Sequence, residues 1–146
     1  MPLPQFTESG DLPPGVHRAA LAEVLERFGR TPDRRKLLAL RLERIYRIAV
    51  STGHLVRFVV FGSFVSIKPD PNDVDVFMIM DDAFKVADVA GENRLLFEHA
   101  PAHARFGGSV FWVRRVAAMD GEQATMEDWQ IKRDGSNRGI VEIIGE

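Results

Sequence analysis

Residues 57–82 read RFVVFGSFVSIKPDPNDVDVFMIMDD, and this stretch decides the fold that we expect for the chain. It opens with an apolar run, breaks at Gly62 and Ser63, and passes through a turn rich in Pro, Asp and Asn. It then enters a second apolar run in which Asp73 and Asp75 alternate with valines. This pattern is typical of two strands joined by a glycine turn, with two carboxylates at the start of the second strand.

The two aspartates predict a metal site. Successive side chains of a strand point to opposite faces, so Asp73 and Asp75 share one face, about 6.6 Å apart along the backbone. Two carboxylates at this separation repel each other by roughly 3 kcal/mol at an effective dielectric constant near 20, and Asp is uncommon in strands. A divalent cation removes the repulsion, because Mg²⁺ is held by one or two carboxylates together with substrate phosphate oxygens. We therefore expect Asp73 and Asp75 to bind Mg²⁺ or Mn²⁺.

The turn before these aspartates predicts a phosphate site. Gly62 lacks a Cβ, so a phosphate could approach the backbone there. Ser63 offers a hydroxyl, and a short helix starting at this residue would direct free N–H groups at an anion. Lys68, five residues further on, could also contact phosphate, although a turn lysine before a proline is more often simply solvated.

The same residues resemble the signature of the polymerase-β-like nucleotidyltransferases, particularly the small bacterial ones that pair with toxin proteins. In that family a hydrophobic strand ends in Gly-Ser, and Asp-x-Asp follows inside a second strand after about ten residues. The resemblance implies that Gly62 and Ser63 hold the triphosphate of a nucleoside triphosphate, and that Asp73 and Asp75 hold the metals and are the catalytic residues. The segments LPPG at 12–15 and GIV at 139–141 also look like a bacterial family of small nucleotidyltransferase-like proteins.

The chain departs from this signature at one position. Family members usually supply a third carboxylate from the following strand, but the predicted strand at 109–115 contains no acid. Ser109 takes the equivalent position and could bind nucleotide or metal only as a neutral ligand. Glu98 and Glu142 do not have convincing spacing for the role. The resemblance therefore leaves two functions open, an active enzyme and a degenerate fold that binds a nucleotide or a partner without turnover.

The segment before the signature predicts an arm and two helices. Residues 1–15 hold four of the eight prolines and are expected to form an extended arm before a single domain at 16–146. Apolar residues recur with helical spacing from Val16 to Gly29, and a second helix is expected to run to about Thr52. The side chains expected to face the core from the second helix are Leu38, Leu42, Ile45, Tyr46 and Ala49. The basic side chains expected on its surface are Arg34, Arg35, Lys36, Arg41, Arg44 and Arg47.

The segment after the signature predicts one more helix and two more strands. Two acidic residues at 81–82 indicate the start of a helix from about Ala83 into the nineties. The strands are expected at 109–115 and 139–144, and residues 117–138 stay unassigned apart from a turn at 134–137. His99 and His103 are four residues apart, but Pro101 opposes a regular helix there and no third soft ligand is in sight. Surface or loop histidines are therefore favoured over a zinc site.

Composition narrows the functional classes. With 146 residues, 45% of them hydrophobic, and a net charge of −2, the chain has the composition of an ordinary globular domain. It shows no basic excess that would advertise a partner of long nucleic acid. It contains no cysteine, which excludes disulfides and thiolate sites. No apolar run is long enough to span a membrane, and a cytoplasmic location is the expectation.

We therefore expect an α+β fold, nucleotidyltransferase-like, with a three- to four-stranded mixed sheet and helices packed mainly on one side. The resemblance implies transfer of a nucleoside monophosphate from an NTP to a hydroxyl of a protein or small molecule, with a toxin-like protein as one candidate partner. The alternative is a nucleotide- or partner-binding module of the same fold.

Overall fold

A computed structural model describes residues 3–118, 121–132 and 134–145, and its centre is a five-stranded mixed sheet. The strands are β1 (Val16–Ala20), β2 (Leu55–Phe61), β3 (Val74–Met80), β4 (Gly108–Arg114) and β5 (Ile140–Ile144), in the spatial order β1-β5-β2-β3-β4. β2 is antiparallel to both of its neighbours, whereas the β1/β5 and β3/β4 pairs are parallel. The predicted α+β class with a mixed sheet is confirmed, but the expectation of three to four strands is wrong.

The missing strand is β1, which the helical spacing had assigned to the first helix. Residues 16–20 pair in parallel with β5, from Val16 opposite Ile140 to Ala20 opposite Ile144. Long-range pairing of this kind overrides the local pattern, because strand formation depends on the neighbouring strand more than on intrinsic preference. The first helix, α1, is therefore shorter than predicted and spans Leu21–Phe28.

Helices cover mainly one face of the sheet. α1, α2 (Asp33–Ser51) and α3 (His99–Phe106) contribute to a core that includes Phe58, Val76 and Val110. A smaller cluster lies on the opposite face, where Met126 of α4 (Glu122–Asp128) packs on the sheet. The prediction for α2 is confirmed for all five core-facing side chains, which are buried.

The region after β3 differs from the prediction. Instead of one α-helix from residue 83, the chain forms short 3-10 helices at Val86–Asp88 and Gly91–Phe97. Gly91 has a φ of 62°, which ends any continuous α-helix at that point. His99 is exposed, as expected, but it begins α3, because Pro101 lies in the first turn, where a missing N–H costs nothing.

The strands predicted at 109–115 and 139–144 correspond to β4 and β5. The unassigned segment 117–138 contains α4, while residues 119, 120 and 133 of this segment lie outside the described part of the chain. In the described ranges of the chain, no helix has the length and apolarity needed to cross a membrane.

The N-terminal arm lies against the domain. Leu12 is 1% exposed and belongs to the main core together with Leu3. The Arg27 side chain of α1 donates hydrogen bonds to the carbonyl oxygens of Leu3 and Pro4. The arm therefore contributes to the same core as the helices and the sheet.

Candidate nucleotide and metal site

The turn after β2 is built against the carboxylate of Asp75. Gly62 has a φ of 82°, in the left-handed region that L side chains rarely adopt, and it leads into a 3-10 turn at Ser63–Val65. A Cβ on Gly62 would overlap with Oδ2 of Asp75. The glycine is therefore required by the local geometry, in addition to any access it gives to phosphate.

Asp75 is the carboxylate of the site whose pKa is raised by its surroundings. It lies in β3, opposite Phe61 of β2 and Ser109 of β4, and Asp73 directly precedes the strand. Burial and then the neighbouring Asp73 carboxylate raise the pKa of Asp75 to about 6, while Arg138 and a hydrogen bond from the Ser109 hydroxyl partly oppose the rise. Burial is thus the larger cause of the rise, and the Asp73 carboxylate adds to it.

A cavity of about 560 Å³ opens beside Asp75 on the face of the sheet that carries α4. Trp129, which follows α4, has its ring centroid 4.7 Å from both Phe61 and Phe77 and 5.3 Å from Phe111. The cavity therefore has an aromatic surface at the side of a carboxylate. Its lining residues are Phe61, Asp75, Ser109, Phe111, Asp128, Trp129, Ile131, Lys132 and Arg138.

Two cations of the lining share one acidic partner from the N-terminal arm. Lys132 Nζ lies 2.9 Å from Oδ2 of Asp11, and Arg138 Nη1 lies 3.8 Å from Oδ1 of the same carboxylate. The Asp11 side chain is only 12% exposed, so these pairs are weakly screened by solvent. Lys132 and Arg138 thus present two cationic groups at the cavity, which also contains the carboxylates of Asp75 and Asp128.

The loop between Gly62 and Asp73 is held from α2 by two arginines. Arg34 donates to the carbonyl oxygens of Pro71 and Asn72, directly before Asp73. Arg35 donates to the carbonyl oxygens of four residues, and burial lowers the pKa of its guanidinium. These four are Phe28, Phe64, Ser66 and Lys68.

The expectation that Arg35 lies on the surface is wrong, since the residue is 6% exposed. A basic residue at the start of an amphipathic helix is ordinarily solvated, and only the loop that folds over it makes burial favourable. Its hydrogen bonds to carbonyl oxygens compensate for the desolvation of the charge. Arg34 and Arg35 thus position the segment that leads into the two aspartates.

The fold brings some of the predicted site residues together and leaves others apart. Asp75 and Ser109 line the cavity, and Gly62 contacts Asp75 at its edge. Ser63 is half-buried in the 3-10 turn, where its carbonyl oxygen accepts a hydrogen bond from the Ser66 hydroxyl. Lys68 is exposed, and it does not belong to the lining residues of the cavity.

One further residue reaches the aspartates without having been expected there. His103 of α3 places Nε2 3.3 Å from Oδ2 of Asp73, with its side chain 54% exposed. The spacing of His99 and His103 had drawn attention only to zinc, and no pattern in the sequence linked either histidine to Asp73. His99 instead packs its ring 4.6 Å from Phe111.

Among the acids that the structure describes, none is grouped with the carboxylate pair, and Asp128, the other acid of the cavity lining, is exposed. Glu142 is buried on β5 and lies 3.4 Å from Arg18 and 3.7 Å from Arg57, and Glu98 is exposed before α3. Within the described segments 3–118, 121–132 and 134–145, no group of three or more His, Cys, Asp or Glu side chains is arranged to hold a metal ion.

The donor set that is present fits one hard divalent cation. The Asp73 carboxylate adds to burial in raising the pKa of Asp75, and the neighbouring Ser109 hydroxyl is a neutral oxygen. Mg²⁺ is commonly held by one or two carboxylates, with phosphate oxygens and water completing its octahedron. A divalent ion at such a donor set would need phosphate oxygens and water to complete its coordination.

The chain belongs to the DUF6932 family, a family of unknown function, whose model matches residues 4–144. Comparison with curated proteins finds no match, and comparison with solved structures finds none either.

Proposed function

We propose that this protein binds a nucleoside triphosphate with Mg²⁺ or Mn²⁺ in the cavity beside Asp75, and that it has a nucleotidyltransferase-like fold. The observation that carries the proposal is the lining of this one cavity. Two carboxylates, Asp75 and Asp128, an aromatic surface and two cations meet there, beside the Gly-Ser turn and Asp73. These groups match the metal, the base and the phosphates of a single ligand.

Each part of the ligand has a counterpart in the chain. Asp73 and Asp75 would hold the metal, and Lys132 and Arg138 would oppose the charge of the phosphates. The half-buried indole of Trp129 offers a surface for the base, and base stacking on aromatic side chains contributes about 1–3 kcal/mol. A bound divalent ion supplies neutralisation of the phosphate charge during transfer.

The proposed reaction is the transfer of a nucleoside monophosphate to a hydroxyl of a protein or small molecule. The acceptor oxygen forms a bond to the α-phosphorus, and the bond from this phosphorus to the bridging oxygen of the β-phosphate breaks. Pyrophosphate leaves with the electron pair, and the hydroxyl proton passes to solvent. The resemblance to toxin-pairing nucleotidyltransferases makes a toxin-like protein one candidate acceptor.

A second candidate function is favoured by Ser109. Its hydroxyl occupies the position beside Asp75 where the resembled enzymes usually carry a third acid. A site with one carboxylate fewer binds a second metal weakly, so a nucleotide-binding module without turnover is the alternative.

Calorimetric titration with ATP, GTP, CTP and UTP tests the proposal. Binding of at least one triphosphate is expected with Mg²⁺ or Mn²⁺ and not with EDTA, and it should be lost in Asp73→Asn and Asp75→Asn. Asp70→Asn is the matched control, because Asp70 is an exposed aspartate of the same loop. Equal affinity in all three variants would rule out a metal site at Asp73 and Asp75. Release of pyrophosphate by the wild type would favour the enzyme over the binding module.

A further inference from the structure

Arg138 is the cation of the cavity lining whose charge acts on Asp75. It lines the cavity together with Asp75 and Ser109, and its guanidinium attracts the Asp75 carboxylate. Ser109 stands directly opposite Asp75 in the β3/β4 register. The site therefore combines a neutral residue at the position of an expected acid with a cation close to the remaining carboxylates.

We infer that Arg138 takes the place of a second metal ion, so that the protein binds a nucleoside triphosphate with a single divalent cation and one guanidinium. The inference rests on the proposed function. Charge balance supports it: three carboxylates with two divalent ions leave one net positive charge. Two carboxylates with one divalent ion and one arginine leave the same net charge.

Backbone hydrogen bonds hold the chain at Arg138 in place, and the Asp11 carboxylate near its guanidinium is shared with Lys132. Its backbone N–H donates to the carbonyl oxygen of Gln130 at 2.9 Å, and the following Gly139 N–H donates to Leu12 of the arm at 2.9 Å. Asp11 lies closer to Lys132, at 2.9 Å, than to Arg138, at 3.8 Å. Because the lysine makes the shorter contact, the guanidinium keeps donors for a phosphate.

An arginine suits this role for chemical reasons. Its planar group presents five N–H donors that match two phosphate oxygens at once, and it remains charged at every accessible pH. The side chain is 23% exposed, so its attraction for a phosphate is less weakened by water than at the open surface. Lysine would keep the charge but lose the paired contact.

The number of Mn²⁺ ions in the complex tests this inference directly. Electron paramagnetic resonance of free Mn²⁺ counts the ions bound by the wild-type protein, saturated with a triphosphate analogue whose α,β-bridge is a methylene group. One Mn²⁺ per protein–nucleotide complex is the expected result. Two ions per complex would overturn the role of Arg138 and leave the proposed function standing, whereas no analogue binding at all would overturn both.

Affinity of variants gives a second readout in the same assay. Arg138→Met is expected to weaken binding of the Mn²⁺ complex of the analogue about 10- to 100-fold, as for loss of a charged hydrogen bond. Arg138→Lys should recover part of this loss, and Arg30→Met should bind as the wild type does, since Arg30 pairs only at the exposed surface with Glu26. Wild-type affinity in Arg138→Met, with its melting curve unchanged, would contradict the inference.

Discussion

Replacing Asp75 by asparagine should stabilise the protein at neutral pH while removing metal-dependent nucleotide binding. The pKa of Asp75 rises from 3.8 to about 6 in the folded chain, mainly through burial and then through Asp73. A tenfold change in proton affinity is worth about 1.4 kcal/mol, so the rise corresponds to at most about 3 kcal/mol. Partial exposure to solvent reduces this to about 1–2 kcal/mol, the gain in unfolding free energy expected for Asp75→Asn at pH 7.

The sign of the pH dependence follows from proton binding. Between pH 4 and 6 the folded wild type holds a proton on Asp75 that the unfolded chain has released. The free energy of unfolding contributed by this group therefore falls as pH rises through that window, and the loss is complete above about pH 6. The advantage of Asp75→Asn should vanish near pH 4.

Urea unfolding at pH 4 and at pH 7, in the absence of divalent ions, measures this difference. The exposed Asp70→Asn variant controls for loss of a carboxylate from the same loop, and it should change the unfolding free energy by less than about 0.5 kcal/mol. Equal stability of Asp75→Asn and wild type at pH 7, or a loss of stability there, would refute the reasoning that burial and repulsion strain this carboxylate.

Three further substitutions test the surroundings of the site. Arg35→Met should lower the unfolding free energy by about 3–5 kcal/mol, because four carbonyl oxygens lose a buried charged donor. In the same urea titration, replacing the exposed Lys36 by Met should change the unfolding free energy little. Gly62→Ala should cost about 1–3 kcal/mol through its positive φ and its overlap with Asp75; an unchanged melting temperature would contradict that geometry. Ser109→Asp should tighten Mn²⁺ binding about tenfold in calorimetry, and an unchanged affinity would show that residue 109 does not face the metal.

The strands around the Gly-Ser turn could be predicted because their signals are local. An apolar run, a glycine break and a second apolar run are together typical of two strands joined by a turn. They predicted β2, β3 and the turn between them. The long helix α2 could be predicted equally well, because five apolar side chains repeat along its 19 residues with helical spacing. Ser109 stands opposite Asp75 because β4 follows β3 in parallel register, and its equivalence to the third acid of the resembled family stays a prediction.

The features that escaped prediction depend on distant partners. β1 exists because β5, more than a hundred residues later, pairs with it, and nothing in residues 16–20 encodes that neighbour. Burial of Arg35 depends on a loop 29 to 33 residues away folding over it. A sequence pattern that spans one or two turns carries no information about either contact.

The cavity itself was the least predictable part of the site. Trp129, Lys132 and Arg138 lie in a segment without periodicity, and they reach the sheet because α4 crosses the face that carries Asp75. The sequence predicted the carboxylates that would hold a metal, and it predicted phosphate contacts at Ser63 and Lys68. The cationic side chains that line the cavity come instead from the last quarter of the chain.

The two tryptophans offer the most direct measurement of whether this cavity binds a nucleotide with metal. Trp129 lines the cavity, whereas the indole N–H of Trp112 is bound to the carbonyl oxygen of Phe97 and its ring packs against the main core. In ¹H–¹⁵N spectra assigned with Trp129→Phe, adding Mg²⁺ and ATP, GTP, CTP or UTP should shift the Trp129 indole signal and leave that of Trp112 in place. EDTA should reverse the shift. If no triphosphate moves the Trp129 signal, or if only the Trp112 signal moves, the ligand does not bind beside Asp75 and the proposed site is wrong.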